Sequence, residues 1–104
     1  METQHDDFTS RVLDVVASIP AGSVMTYGDV AAAVGTRAAR AVGLVMARYG
    51  SEVAWWRVIR STGHPAAGLE ARALDRFVEE GTPLRRDADG AWRVDLAAAR
   101  HPLD

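Results

Sequence analysis

The segment IPAGSVMTYGDVA, which runs from Ile19 to Ala31, sets the organisation of this chain of 104 residues. Its Pro20 follows a series of apolar residues at helical spacing and predicts where a first, core-packed helix ends. The three residues after the proline predict a turn. Thr26 has the side chain of a helix N-cap, so the sequence predicts a second, short helix over 27–34. The apolar series of the first helix consists of Phe8, Val12, Val15, Val16 and Ile19.

Beyond this segment, Gly35 predicts a stop, and Thr36 can cap a third helix that starts at Arg37. Two short helices joined by a tight glycine turn predict a helix-turn-helix. One side of the third helix is apolar, while the other combines arginines with small residues and has no acid. Such a face lets the backbone approach a partner closely while the arginines reach phosphates or bases, which favours DNA binding. The apolar side contains Ala38, Val42, Val45, Met46 and Tyr49, and the other side contains Arg37, Arg40, Ala41, Leu44, Ala47 and Arg48.

The second half of the chain predicts shorter elements. Residues 53–59 are rich in aromatic and β-branched side chains, which predicts an extended segment, and a loop follows at 61–68. A fourth helix is predicted over 69–80, with Gly81 as its end. Asp89-Gly90 then predicts the turn of a hairpin over 84–94, before a last helical turn at 96–100. We expect the fourth helix to bury Ala73, Leu74, Phe77 and Val78.

These elements predict a mainly α fold with a small β component, of the winged helix-turn-helix type. The length predicts one domain over residues 1–104. We expect residues 1–6 and 101–104, at the two chain ends, to be flexible.

The composition excludes several kinds of chemistry. The chain contains no cysteine and no lysine, which excludes disulfides, thiol nucleophiles and lysine Schiff bases. Two of its three histidines lie near the chain ends, and we expect neither a metal nor a cofactor. No apolar run approaches the roughly 20 residues of a membrane span. Residues 1–7 are acidic and polar, unlike a secretory signal, so we expect a cytoplasmic protein with no membrane partner.

Charge is distributed unevenly along the chain, although the net charge is only −2. Residues 37–78 carry seven arginines against three acids, a net charge of +4, whereas residues 1–36 and 79–104 carry net charges of −4 and −2. A basic middle between acidic ends indicates an anionic partner.

Three motifs in this order resemble the DNA-binding domain of the O6-alkylguanine-DNA alkyltransferases. Residues 19–31 are similar to that family's IPxGxVxTYGxIA motif, Ala38–Gly43 to its ARAVG recognition helix, and Glu80-Gly81 to its late Glu-Gly pair. The resemblance covers about residues 8–81. It implies the winged helix-turn-helix of the alkyltransferase C-terminal domain, which binds duplex DNA along the minor groove.

The family's catalytic motif is altered in this chain. The enzymes carry Pro-Cys-His-Arg-Val, and their cysteine accepts the alkyl group. Here Ala54-Trp55-Trp56-Arg57-Val58 occupies the matching positions, so Trp55 replaces the cysteine and Trp56 its histidine. An indole cannot accept an alkyl group as a thiolate does, which excludes this dealkylation. Tryptophan at position 55 is typical of the alkyltransferase-like proteins.

The resemblance to these alkyltransferase-like proteins implies a function without catalysis. They bind O6-alkylguanine in duplex DNA, rotate the damaged nucleotide into a pocket and bring in nucleotide excision repair. We therefore expect double-stranded DNA that contains O6-alkylguanine as the partner, nucleotide excision repair proteins as further partners, and a monomer as the acting unit.

Individual DNA-binding residues follow from the same resemblance. Arg40 matches the family's arginine finger, which fills the space left by the extruded base; its alternative is an exposed helix arginine. Tyr27 matches a tyrosine that helps to rotate the target's phosphate, or it packs on the core. The predicted DNA-binding residues are Tyr27, Arg37, Arg40, Ala41 and Arg48.

The pocket for the alkylated guanine is predicted to form around Trp55. Trp56 is expected to pack beneath it, because adjacent residues of an extended segment point in opposite directions. Arg57 is assigned either to the structure or to a phosphate. The predicted pocket residues are Tyr27, Met46, Trp55, Arg57 and Val58.

Two more groups have open roles. Glu80 matches a glutamate that supports the histidine–cysteine relay of the enzymes; without those partners it either holds local structure as an acceptor or pairs with Arg76 at i,i+4 spacing. The loop at 61–68 is shorter than in the enzymes, which implies a wider pocket. Residues 61–71 contain no arginine to sense the guanine, so discrimination rests on other groups such as His64.

Two alternative functions compete with lesion recognition. A winged-helix regulator would read a fixed sequence in the major groove, which the absence of Asn and Gln from the third helix disfavours. An enzyme with residual activity would use Glu80 or His64, but no nucleophile–base pair at a recognisable spacing supports it.

Overall fold

The computed structural model describes residues 5–102, which form five α-helices and two sheets of two strands each. A mainly α fold with a small β component is therefore confirmed. Two 3-10 turns, Gly50–Glu52 and Trp55–Arg57, follow the third helix. The helices are α1 Asp7–Ala17, α2 Tyr27–Ala33, α3 Ala39–Tyr49, α4 Glu70–Glu80 and α5 Leu96–Ala99, and the strands are β1 Met25–Thr26, β2 Val58–Ile59, β3 Leu84–Arg86 and β4 Trp92–Val94.

Both described chain ends make hydrogen bonds with neighbouring residues, and the flexibility expected of residues 5–6 and 101–102 stays a prediction. The Asp6 carboxylate caps α1 by accepting the Thr9 N–H at 2.7 Å. At the other end, the His101 N–H donates to the Val24 carbonyl at 2.8 Å. The rest of that expectation, for 1–4 and 103–104, lies outside the described residues.

A capping box starts α2 where the sequence predicts it. The Thr26 hydroxyl accepts the Asp29 N–H at 3.0 Å, and the Asp29 carboxylate accepts the Thr26 N–H at 3.1 Å. Arg100 donates to both carboxylate oxygens of Asp29, at 2.6 and 2.9 Å. These Arg100 hydrogen bonds outweigh burial and hold the pKa of Asp29 below its usual value. The carboxylate thus joins the start of α2 to the end of the chain.

The start of α3 differs from the prediction. The Thr36 hydroxyl accepts the Ala38 N–H at 3.1 Å and closes the turn before the helix, while Ala38 is the N-cap and makes no side-chain cap hydrogen bond. Arg37 therefore precedes α3 instead of starting it. Val42 and Val45 are buried as predicted, whereas Ala38 is exposed because it precedes the first turn.

The predicted extended segment over 53–59 is mostly wrong. Only Val58–Ile59 is a strand, and it pairs in parallel with Met25–Thr26. The two residues before Arg57 fold into a 3-10 turn, in which the Arg57 N–H donates to the Ala54 carbonyl at 3.1 Å. Side-chain contacts of Trp56 and Arg57 with α4 override the β propensity of this stretch.

The fourth helix and the hairpin enclose a second core. Ala73 and Phe77 are fully buried there. The Trp92 ring packs edge-to-face on Phe77, with the ring centroids 6.1 Å apart. Gly81 ends α4 in the left-handed conformation, as predicted. Val78 is 67% exposed, which corrects its predicted burial. One residue beyond Phe77, the helical rotation carries that side chain away from the core.

The Glu80 cluster, defined as Gly22, Trp56, Arg57 and Glu80, connects the core around α1, α2 and α3 to the second core under α4. The Glu80 carboxylate accepts hydrogen bonds from Trp56 Nε1 at 3.0 Å, from Arg57 at 2.6 and 3.1 Å, and from the Gly22 N–H at 3.1 Å. Arg57 also donates to the Ile19 carbonyl at 2.9 Å. Burial alone would raise the pKa of Glu80, but these donors hold it below its usual value.

Of the two roles open for Glu80, the structural acceptor is therefore confirmed. The alternative pair with Arg76 is not formed, because the Arg76 guanidinium lies 3.9 Å from Glu79 instead.

Replacing Asp29 with asparagine tests the capping box and its ion pair. We expect Asp29→Asn to lower the free energy of unfolding by about 1–2 kcal/mol at pH 7, the magnitude of a lost cap and a partly exposed ion pair. Because the folded-state pKa is depressed, this stability is present above the unfolded pKa of about 4 and is lost as the pH falls through the folded value. Urea unfolding at pH 7 and pH 3 measures both effects.

The difference between the wild type and Asp29→Asn should therefore shrink at low pH. Asp75→Asn, an exposed residue of α4, is the matched control and should leave the stability unchanged. A constant difference across this pH range would contradict the role of the ionised Asp29.

Candidate nucleic-acid interface and pocket

A pocket of about 440 Å³ lies behind α3. It is bounded by the start of α2, one side of α3, the turn that carries Trp55, the loop before α4 and the first turn of α4. Its lining residues are Tyr27, Gly43, Met46, Ala47, Gly50, Ser51, Trp55, Ala66, Ala67, Leu69 and Arg72. These are mostly small or apolar, which suits a flat aromatic ligand.

The structure brings together three of the five predicted pocket residues, Tyr27, Met46 and Trp55. Arg57 and Val58 are not among the lining residues, and their predicted contribution to the pocket stays a prediction. The 3-10 turn directs Arg57 toward Glu80. Val58 follows in β2, is 2% exposed and belongs to the core formed with α1, α2 and α3.

The two adjacent tryptophans occupy different environments. Trp55 lines the pocket, while the Trp56 indole is fixed beneath it by the hydrogen bond to Glu80. Their rings meet edge-to-face, with centroids 5.7 Å apart and an interplanar angle of 87°. Trp56 therefore supports the ring that the pocket presents.

Arg72 and Gly43 line the pocket but were not predicted to do so. Arg72 lies in the first turn of α4, one residue beyond the arginine-free stretch at 61–71. Gly43 sits inside α3, and a Cβ added there would meet no protein atom within 4 Å. Glycine costs about 1 kcal/mol in a helix interior, and that unexplained cost was the available signal for a close approach.

The exposed surface next to the pocket is basic. Arg40 and Arg48 are exposed on α3, and Arg37 is exposed just before it. Within residues 5–102, none of the three guanidinium groups forms an ion pair with a carboxylate. Ala41 is half-buried on the same helix. Four of the predicted DNA-binding residues thus lie together around α3.

Tyr27 connects this surface to the pocket. It is half-buried at the start of α2, and burial raises the pKa of its phenol. The hydroxyl therefore keeps its proton at neutral pH and is available as a hydrogen-bond donor.

His64 lies elsewhere. Its Nδ1 is 2.8 Å from the Thr62 hydroxyl, and it faces a cleft formed with the hairpin arginines Arg85, Arg86 and Arg93. It is not among the residues that line the pocket, so the structure does not place it where a flipped base would lie.

Over the described range 5–102, no three histidine, aspartate or glutamate side chains come together as a metal site. The helices of that range are also too short, or too polar, to cross a membrane.

The comparisons with known proteins agree with the motifs. The sequence model of the family described as the DNA-binding domain of 6-O-methylguanine DNA methyltransferase matches residues 7–80. Alkyltransferase-like protein 1 of Schizosaccharomyces pombe is 38% identical over 98 residues, covering 88% of this chain and 91% of the relative. The DNA base-flipping protein of Escherichia coli is 49% identical over 104 residues, covering 93% and 76%.

Solved structures show the same likeness. The S. pombe alkyltransferase-like protein in complex with damaged DNA containing O6-carboxymethylguanine superposes with a TM-score of 0.80 at 33% identity, covering 97% of this chain and 100% of that chain. The O6-methylguanine methyltransferase of Mycobacterium tuberculosis gives 0.64 at 28% identity, covering 76% and 51%. The fold expected from the motifs is confirmed, and this chain belongs to the family of the 6-O-methylguanine DNA methyltransferase DNA-binding domain.

Proposed function

We propose that this protein recognises O6-alkylguanine in duplex DNA without repairing it, by rotating the damaged nucleotide into the pocket behind α3. The observation that carries the proposal is Trp55, which lines that pocket at the position where the family's enzymes hold the alkyl-accepting cysteine. The printed descriptions of the relatives, a base-flipping protein and a complex with alkylated DNA, support it.

The arrangement of α3 supports nucleotide flipping. Arg40 is exposed in the first turn of the helix, on the basic surface next to the pocket. Taking a base out of the stack costs a few kcal/mol, and an inserted guanidinium that hydrogen-bonds the orphaned partner recovers part of it. Arg37 and Arg48 would hold the flanking phosphates, and the protonated Tyr27 hydroxyl would donate to the rotated one.

The chemistry of the pocket supports binding without catalysis. The chain has no cysteine, and the Trp55 indole has no anionic form near neutral pH. Glu80 is bound to Arg57 and Trp56 instead of facing the pocket. Neither Glu80 nor His64 is among the lining residues, so no acid–base pair faces a bound alkyl group.

Because the protein would leave the alkyl group on the DNA, the proposal includes a second step, in which the bound lesion is passed on to nucleotide excision repair proteins. It also includes action as a monomer in the cytoplasm. The large apolar side chains exposed within residues 5–102, Leu44 and Val78, lie on different helices, α3 and α4. That scatter supports a monomer.

The central experiment compares duplexes with O6-methylguanine and with guanine at one position. We expect the wild type to bind the damaged duplex more tightly than the undamaged one. In Trp55→Ala the ratio of the two affinities should fall about tenfold, because stacking on an aromatic side chain is worth about 1–3 kcal/mol. Competition binding measures the ratio. A methyl label on the guanine should stay on the DNA.

Equal wild-type affinities for the two duplexes, over a range of salt concentrations, would refute lesion recognition. Label found on the protein would refute the absence of catalysis. A footprint confined to one undamaged sequence would favour the regulator instead.

Arg40 and Arg48 are expected to act differently. Arg40→Ala should lower the fluorescence increase of 2-aminopurine placed at the target position, because the space left by the base stays unfilled. Arg48→Ala should weaken binding to damaged and undamaged duplexes alike and reduce the slope of log affinity against log salt by about 1, as for a phosphate contact. Identical effects of the two variants on flipping would contradict the separate roles.

Gly43→Ala is expected to have opposite effects on folding stability and on lesion binding. The variant should raise the free energy of unfolding by up to about 1 kcal/mol, since alanine is the better helix residue and its methyl group meets no protein atom. It should also weaken binding of the O6-methylguanine duplex, because the methyl group projects into the pocket. Urea unfolding and competition binding report the two effects. A more stable variant with unchanged lesion affinity would show that nothing approaches Gly43.

A further inference from the structure

We propose that Arg72 makes the pocket prefer O6-alkyl groups that carry a negative charge, such as carboxymethyl, over neutral groups of the same size. This inference rests on the proposed function and adds a charge selectivity to it. Three observations carry it: the position of Arg72, the absence of an acid that neutralises it, and its contact with Trp55.

The first observation is where the charge lies. Of the described residues that line the pocket, Arg72 alone is charged. It belongs to the first turn of α4, and Leu69, the N-cap residue before that helix, makes no side-chain cap hydrogen bond and lines the pocket beside it. The helix dipole there has the same sign as the guanidinium. Glu70, the acid of the same turn, lies 3.9 Å from Arg60 and is not among the lining residues, so the charge that α4 presents to the pocket is positive.

The second observation is that Arg72 is not neutralised. Within residues 5–102 no carboxylate forms an ion pair with it, although acids are close in sequence. Glu70 lies 3.9 Å from Arg60, and Glu79 lies 3.9 Å from Arg76. The other two arginines near the tryptophans, Arg57 and Arg76, lie over Trp56, and Arg57 donates to Glu80 and to the Ile19 carbonyl. The pocket therefore has one uncompensated positive charge.

The third observation is the contact with Trp55. The guanidinium carbon of Arg72 lies 5.7 Å from the centroid of the Trp55 ring. Under the proposed function the alkyl group rests against that same ring. A guanidinium that lies over an aromatic ring keeps its in-plane N–H groups free, and their fork matches a carboxylate in two parallel hydrogen bonds. The carboxylate of a carboxymethyl group is thereby within the range of this side chain.

The test uses a matched pair of duplexes, one with O6-carboxymethylguanine and one with its neutral amide, O6-carbamoylmethylguanine. The two groups have nearly the same size and differ in charge. We expect the wild type to bind the charged lesion about fivefold more tightly, the value of a solvent-accessible ion pair, and the ratio to fall as salt increases. Arg72→Gln should bring the ratio of the two affinities to about one. Arg72→Lys should keep part of the preference.

Arg76→Gln is the control, because it removes the same charge one turn further along α4. The guanidinium carbon of Arg76 lies 4.8 Å from the centroid of the Trp56 ring. Arg76 is not among the residues that line the pocket. It should leave the ratio unchanged. Urea unfolding of each variant confirms that the comparison is made on folded protein.

The outcomes separate this inference from the proposed function. Equal binding of the two lesions, both tighter than guanine, overturns the charge selectivity and leaves lesion recognition standing. Failure of both lesions to exceed guanine refutes the proposed function itself. A loss of the ratio in Arg76→Gln as large as that in Arg72→Gln also overturns the inference, since the effect would then come from the net charge of the helix.

Discussion

The arrangement of this protein depends on the half-buried carboxylate of Glu80. It accepts hydrogen bonds from the backbone N–H of Gly22 and from the indole and guanidinium of the adjacent residues Trp56 and Arg57, two distant parts of the chain. Through Arg57 and the Ile19 carbonyl, it also connects the core around α1 and α2 to the core under α4. The Arg57–Glu80 pair is partly buried, with side chains 18% and 13% exposed, and removing one partner leaves a charged group without its hydrogen bonds, at a cost of about 1–3 kcal/mol. The Trp55 ring keeps its position because its neighbour is fixed here.

The same carboxylate explains how the altered motif changes function. In the enzymes that this chain resembles, the matching glutamate supports a histidine and a cysteine. Here tryptophans occupy both positions, and Arg57 holds the carboxylate in its ionised form. The glutamate that supports proton transfer in the enzymes therefore connects the two cores of this chain by hydrogen bonds. Under the proposed function, the pocket presents the Trp55 ring at the position where the enzymes' motif has its cysteine, and this ring is an aromatic surface suited to binding.

Local signals in the sequence predicted the elements whose ends are set by neighbouring residues. Thr26 caps α2, Gly81 ends α4, and Asp89-Gly90 turns the hairpin, because each effect acts within a few residues. The errors lie where distant contacts decide. The turn at 55–57 forms because Glu80 binds the side chains of Trp56 and Arg57, and this contact spans more of the chain than propensity describes. Arg72 was missed for the same reason, since only the folded chain brings α4 to the pocket.

Because the pocket depends on the parallel pairing of β1 with β2, we expect it to form late in folding. Tyr27 directly follows β1, and the turn with Trp55 directly precedes β2, so this pairing of distant segments brings the two aromatic walls together. Contacts that close long loops form more slowly than contacts within neighbouring helices. On a ribosome, α2 and α3 emerge with their basic surface before β2 and α4 have been made. The basic residues of α3 therefore precede, in the order of synthesis, the walls that under the proposed function would select a damaged base.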